Sequence, residues 1–249
     1  MSHLRTVYIV DPDATSRRLL TAHLACVGAE AWPFARGAEF LHILDHLAPA
    51  CVILDMNVAE PGGLELLAEL VRRRPFWPVL AISGAPELET AVAAMKLGAL
   101  DFLAKPLEPP ALAAALAPAF GRLERALETS EARRRAGERL SRLSQREFDI
   151  ALALIAGQSN KTVAHMFGIS VRTVEMHRAH IMAKLQVKTL AEAAVLATQA
   201  GLESANTTVR PRAVVEVPPF LAGRPRGSFM ELSRAERKRS ASGGKGTVR

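Results

Sequence analysis

Short, nearly continuous apolar runs alternate with longer amphipathic segments through the first half of the chain. VYIV at 7–10, CVIL at 51–54, PVLAIS at 78–83 and LDFLA at 100–104 are too short for helices. They lack the polar alternation of a strand with one wet face, so each predicts a strand covered on both faces. Between them, residues 14–27, 64–73, 87–97 and 110–127 place apolar side chains at helical spacing. A further short strand near 31–34 brings the count to five. Strands separated by helices predict a parallel sheet with helices on both faces.

The second half carries only the helical period. From 110 to 142 an Ala/Leu-rich stretch runs into a charged one, with Leu116, Phe120, Leu123 and Leu127 spaced close to the heptad interval. Such a stripe serves equally as a helix that pairs with a second copy or as an extension of the preceding helix. Gly137, inside RRRAGERL, is the expected break. Four helices then follow between 143 and 202. Ser144 with Glu147 forms a capping box for the first, which Gly157 ends. Asn160 is the expected cap of the second and Ser170 of the third, which runs to about Leu185. Thr189 with Glu192 is a second capping box, opening a helix that Gly201 closes.

Residues 160–179, NKTVAHMFGISVRTVEMHRA, are the most informative of these. Ala164, Gly168 and Val174 fit two short helices joined by a tight turn. A small residue permits a close crossing, a glycine supplies positive φ, and an apolar residue pins the second helix. A plain helical hairpin shares this spacing, but the agreement of several positions favours a helix-turn-helix. Outward positions of the second helix carry Arg172, Thr173, Glu175, Met176 and Ala179, a surface suited to a DNA major groove.

In the first half, Asp11, Asp55, Ser83 and Lys105 fall at the ends of four successive strands. Open α/β sheets bind ligands at the carboxyl ends of their strands, so these side chains should converge. A carboxylate can attack a phosphoryl group, while a hydroxyl and an ammonium hold its oxygens. A divalent cation held by acids offsets the remaining repulsion.

Composition agrees with two folded domains. The chain has 249 residues, 49% of them hydrophobic, and a formal net charge of +7. From Glu203 onward, ten Arg or Lys face four Glu, so the tail carries most of the excess. Its Pro, Gly and Ser content predicts disorder. It either adds sequence-independent attraction to phosphates or is a solvated tail without a specific role. GGKG near its end lacks the strand and helix of a phosphate-binding loop. Cys26 and Cys51 form no CxxC and read as packed thiols in a reducing cytoplasm. The N-terminal apolar run is too short for a signal peptide, and no apolar stretch reaches the roughly 18 residues of a membrane span. No nucleophile–base pair, zinc site or nucleotide loop points to an enzyme with turnover. His177 and His180 share a helical face but lack Cys or acid partners for a metal.

With these residues in view, VYIVDPD, VILDMNVAEPGGLELL, AISG and AAMKLGALDFLAKP resemble the receiver domain of bacterial response regulators. The resemblance implies a flavodoxin-like (βα)5 fold over 1–125, with Asp55 as phosphoacceptor and Ser83 and Lys105 in the phosphoryl pocket. It further implies Phe102 as switch residue, Pro106 after a cis peptide, and Mg²⁺ on Asp11, Asp55 and the backbone carbonyl of Asn57. The block 143–202 resembles the four-helix LuxR-type helix-turn-helix domain, TVEMHRAHIMAKL being close to the FixJ branch. Residues 126–142 would be a helical linker and 203–249 a basic tail. The combined resemblance, to FixJ/NarL regulators, spans about four-fifths of the chain.

The same resemblance implies base contacts from Arg172, Thr173, Glu175, Met176 and Ala179, and phosphate contacts from Lys161, Thr162, Arg178, Lys184 and Lys188. Its partners would be double-stranded DNA, a sensor histidine kinase, a second copy when active, and RNA polymerase; activation is the implied outcome. One position departs from the family. Receivers end the first strand with two adjacent acids, and here the pair is Asp11-Pro12. Proline offers neither a side-chain ligand nor an N–H. Two expectations follow: phosphorylation of Asp55 that is slow or demands high Mg²⁺, or a pseudo-receiver that regulates without it.

Overall fold

The computed structural model describes residues 5–202; the basic tail read at 203–249 lies outside the described residues. Five parallel strands form one sheet in the order β2-β1-β3-β4-β5. They are β1 (Arg5–Val10), β2 (Ala29–Phe34), β3 (Cys51–Asp55), β4 (Val79–Ser83) and β5 (Asp101–Ala104). Helices α1 (Ala14–Cys26), α2 (Gly37–Ile43), α3 (Gly63–Arg73), α4 (Leu88–Leu97) and the start of α5 (Pro109–Leu140) complete the flavodoxin-like half. β2 begins two residues earlier than its apolar run, because its edge position tolerates Glu30 pointing to solvent.

Side chains alternate across the sheet, as the two-residue period of a strand requires. Val7, Ile9, Cys51, Ile53, Leu80 and Ile82 pack with α1 and α5. Tyr8, Val10, Val52, Leu54, Val79 and Ala81 pack on the other face, against α2, α3 and α4. Tyr8, Phe34, Phe40 and Trp77 form an aromatic cluster there, with Tyr8 and Trp77 stacked at 5.5 Å between centroids. Burial pushes the Tyr8 hydroxyl pKa up, and that hydroxyl donates to the Ala48 carbonyl at 2.9 Å.

The fifth helix departs from expectation. It continues for 32 residues through Gly137 instead of breaking there. A mid-helix glycine costs only about 1 kcal/mol. Ala136 and Leu140, on either side of it, are buried in the core of the C-terminal domain and offset that cost. Pro118 also lies inside this helix without ending it.

The C-terminal domain contains α6 (Gln145–Ile155), α7 (Asn160–Phe167), α8 (Val171–Leu185) and α9 (Leu190–Gln199). Ser144 and Glu147 make the expected capping box. The cap of α7 is Ser159, not Asn160: its hydroxyl accepts from the Thr162 N–H at 3.1 Å, and Asn160 is the first helical residue. Thr189 caps α9, but the Glu192 carboxylate reaches back to the Lys188 N–H, one residue earlier than a capping box requires. No helix among the described residues is long and apolar enough to cross a membrane.

Candidate functional site

The strand ends bring Asp11, Asp55, Ser83 and Lys105 together. The first three are buried. Lys105 Nζ donates to Asp11 Oδ2 and to Asp55 Oδ2, each at 2.6 Å, and so bridges the two carboxylates. Burial works against the Lys105 ammonium, but the two carboxylates outweigh it and hold its pKa above the ordinary lysine value. Ser83 Oγ accepts from the Ala85 N–H at 3.2 Å, and the Lys105 N–H donates to the Ser83 carbonyl at 2.8 Å, tying β5 to β4. The Lys105–Pro106 peptide is cis, as is Glu60–Pro61.

The remaining oxygens of the two acids also have partners. Asp11 Oδ1 accepts from the Asp13 N–H at 2.8 Å, and Asp55 Oδ1 accepts from the Asn57 N–H at 2.9 Å. Ser16 Oγ donates to Asp11 Oδ2 at 2.6 Å, and Arg17 donates to the Asp11 carbonyl at 2.6 Å. Nothing in the spacing of the chain marks Ser16 or Arg17 as neighbours of Asp11. Both lie in the first turn of α1, where periodicity marks only a half-buried face.

Pro12 and Asp13 are exposed. The Asp13 carboxylate caps α1 through the N–H groups of Thr15 and Ser16, at 3.1 and 2.9 Å. These bonds, to Ser16 first and then Thr15, hold its pKa below the usual carboxylate range. Asp13 is therefore committed to the helix start. Among the described residues no group of three His, Cys, Asp or Glu side chains is arranged to hold a metal ion. The two carboxylates present oxygens, the type of donor a hard cation takes. Phe102 is half-buried on β5, opposite Ala81 in register, against the aromatic face of the sheet.

In the C-terminal domain, Gly168 closes α7 in the left-handed conformation at φ 64°, and Ser170 caps α8 by accepting from the Thr173 N–H at 3.0 Å. Val163 and Val174 are fully buried at the crossing, with Ala164 beside them. Arg146 of α6 donates to the Phe167 carbonyl and lies over the Phe167 ring, securing the end of α7. The opposite face of α8 presents Arg172, Glu175, Met176, Arg178 and Ala179 to solvent, while Thr173 is half-buried, its hydroxyl on Ser170 Oγ. Lys161, Thr162 and Lys188 are exposed around it.

Lys184 differs from the other basic residues of this surface. Its ammonium is held at 2.6 Å by Glu147 Oε2, whose carboxylate also accepts from the Ser144 N–H and hydroxyl. The Lys184 bond first, and the Ser144 bonds next, pull the Glu147 pKa down to about 2. Lys184 thus locks α8 to the start of α6 and offers phosphates only what that pair leaves. Sequence spacing missed this pairing because the two residues lie 37 positions apart.

Residues 7–117 match the response regulator receiver domain family, and residues 141–197 match the luxR family of bacterial regulatory proteins. The transcriptional regulatory protein FixJ of Bradyrhizobium diazoefficiens is 36% identical over 196 residues, covering 79% of this chain and 96% of that protein. FixJ of Azorhizobium caulinodans is 36% identical over 200 residues, covering 80% and 95%. Among solved structures, the response regulator StyR superposes with a TM-score of 0.70 at 31% identity, over 78% of this chain and 98% of that one. With both family matches falling on the two domains described above, the chain belongs to the FixJ-type two-component response regulators, a receiver domain followed by a LuxR-type DNA-binding domain.

Proposed function

We propose that phosphorylation of Asp55 gates DNA binding by α8. The carrying observation is the Lys105 ammonium held between Asp11 and Asp55 with the Ser83 hydroxyl at the neighbouring strand end. An Asp55 carboxylate oxygen attacks the phosphorus of a phosphohistidine in a sensor kinase. The new O–P bond forms as the P–N bond breaks, and its electron pair leaves with the imidazole. Lys105 and Ser83 then hold the phosphoryl oxygens. Receiver domains generally bind Mg²⁺ at this site; here Asp11, Asp55 and the Asn57 carbonyl would hold it, and it would neutralise phosphoryl charge. With Pro12 in place of an acid and Asp13 capping α1, one carboxylate is missing, which lowers the affinity for the ion.

The phosphoryl group, sensed through Ser83 and Phe102, shifts the population toward a dimer through α4 and β5. Leu88, Val92, Met95 and Leu97 of α4 are exposed large apolar side chains, in keeping with such a face. Two-fold dimers then read half-sites of inverted symmetry, with base contacts from Arg172, Thr173, Glu175, Met176 and Ala179. Lys161, Thr162, Arg178 and Lys188 contact phosphates, with Lys184 in a lesser share. The outcome is transcriptional activation in the cytoplasm, through RNA polymerase.

Incubation with a small acyl phosphate and excess Mg²⁺, read by intact mass, tests the reading. A gain of one phosphoryl group that disappears in Asp55→Ala is expected. No gain, or a gain that survives Asp55→Ala, defeats it. A second reading is favoured by Pro12 alone: a pseudo-receiver that leaves DNA binding independent of phosphorylation. Equal operator occupancy by wild type and Asp55→Ala in a genome-wide binding map would select it.

A further inference from the structure

The carbonyls at the end of α8 are divided between its own turn and another helix: the Gln186 and Val187 N–H groups donate to Ala183 and Met182, each at 3.1 Å, and the next carbonyls along are met by a side chain of α5. Gln186 follows the helix in the left-handed conformation, at φ 52°. Arg139 of α5 reaches across to this end: Nε donates to the Leu185 carbonyl and Nη2 to the Gln186 carbonyl, each at 2.8 Å, and Nη2 also donates to Leu185. A guanidinium presents its donors in a rigid planar fork, here spanning two successive carbonyls at the negative end of the helix dipole. On either side of Arg139 along α5, Ala136 and Leu140 are buried in the DNA-binding domain's core. Farther up α5, the Arg133 guanidinium comes to 2.8 Å from the place a Cβ would take on Gly201, just beyond α9. The end of α5 is therefore built into the DNA-binding domain at more than one point.

We propose that Arg139 is a positioning residue for DNA reading. It fixes where α8 ends and how it lies on the rest of the domain. Because Arg139 is carried by the helix that begins in the receiver, one continuous helix runs from the receiver to the base-reading helix. This rests on the assignment of α8 as the reading helix.

The test uses full-length protein and two duplexes, one enriched from a random library by binding to wild type and one of random sequence. Arg139→Ala removes the fork. Arg139→Lys keeps the charge and stem but offers a point charge that cannot span both carbonyls. Affinity for the enriched duplex should fall about tenfold in Arg139→Ala, the scale of one lost base contact. Affinity for random DNA, set by phosphates, should change by less than about twofold. Arg139→Lys should fall between wild type and Arg139→Ala in the ratio of the two affinities. If Arg139→Ala does not fold by circular dichroism, the ratio in Arg139→Lys decides. A wild-type ratio in the folded variants, whatever their melting temperature, overturns the proposal and leaves Arg139 as a stabilising contact only. A wild type without preference for its enriched duplex would overturn the assignment of α8 itself, and the proposal with it.

Discussion

Replacing Lys105 with methionine keeps the apolar stem and removes the one ammonium between two buried acids. Each carboxylate oxygen sits 2.6 Å from that nitrogen. The facing oxygens are thus at most about 5 Å apart, and two full charges at that distance repel by about 3 kcal/mol at an effective dielectric of about 20. Methionine also removes the cost of burying the ammonium, which trims the net loss to about 2 kcal/mol. Urea unfolding of wild type, Lys105→Met and the double variant Lys105→Met/Asp11→Asn at neutral pH measures this, because the double variant lacks both the ammonium and the repulsion. A loss of about 2 kcal/mol in Lys105→Met is expected, part of it recovered in the double variant. A loss below about 0.5 kcal/mol in Lys105→Met, or a double variant no more stable than Lys105→Met, would refute the reasoning that Lys105 is held by charge.

Three further outcomes follow from the geometry. Glu147→Gln should weaken the C-terminal domain; the depressed carboxylate of wild type contributes stability present above its unfolded pKa of 4.5 and lost as pH falls toward about 2. The loss should be about 1 kcal/mol because half-exposed Lys184 is screened by solvent, and thermal melts from pH 7 to 3 should show the variant's deficit vanish in acid. Gly63→Ala should cost about 3 kcal/mol by urea unfolding, since its Cβ would come within 2.6 Å of the Met56 Cα, whereas Gly168→Ala, with open space around it, should cost about 1 kcal/mol from its positive φ alone. Arg178→Ala should weaken all duplexes together and lower the salt slope by about one unit, while Met176→Ala should change the preferred sequence; both are read by anisotropy titration at several salt concentrations.

The strands and the convergence of Asp11, Asp55, Ser83 and Lys105 were legible because buried strands must be apolar throughout and their polar ends stand out. The turn at Gly168 and the cap at Ser170 were legible because each depends on a few neighbouring residues. Tertiary choices were not. Gly137 reads as a break until Ala136 and Leu140 find a core to enter. The seven residues of α2 carry too little periodicity to declare a helix. Asn160 and Ser159 are both good caps, and only backbone conformation selects the serine. The bonds of Ser16 to Asp11, Glu147 to Lys184 and Arg139 to Leu185 join residues from different elements, and no local pattern announces them.

The aromatic cluster on the sheet has an optical consequence. The chain has two tryptophans, Trp32 on β2 and Trp77 just before β4, and both belong to the receiver. Trp77 is buried, stacked on Tyr8, with the Arg74 guanidinium 5.6 Å from its ring centre. Indole emission therefore reports on the receiver alone, and the DNA-binding domain is silent at that wavelength. Far-ultraviolet dichroism, weighted toward the helices of both domains, would complement it. Recording the two signals on one sample separates the melting of the signalling half from that of the DNA-binding half without introducing a label.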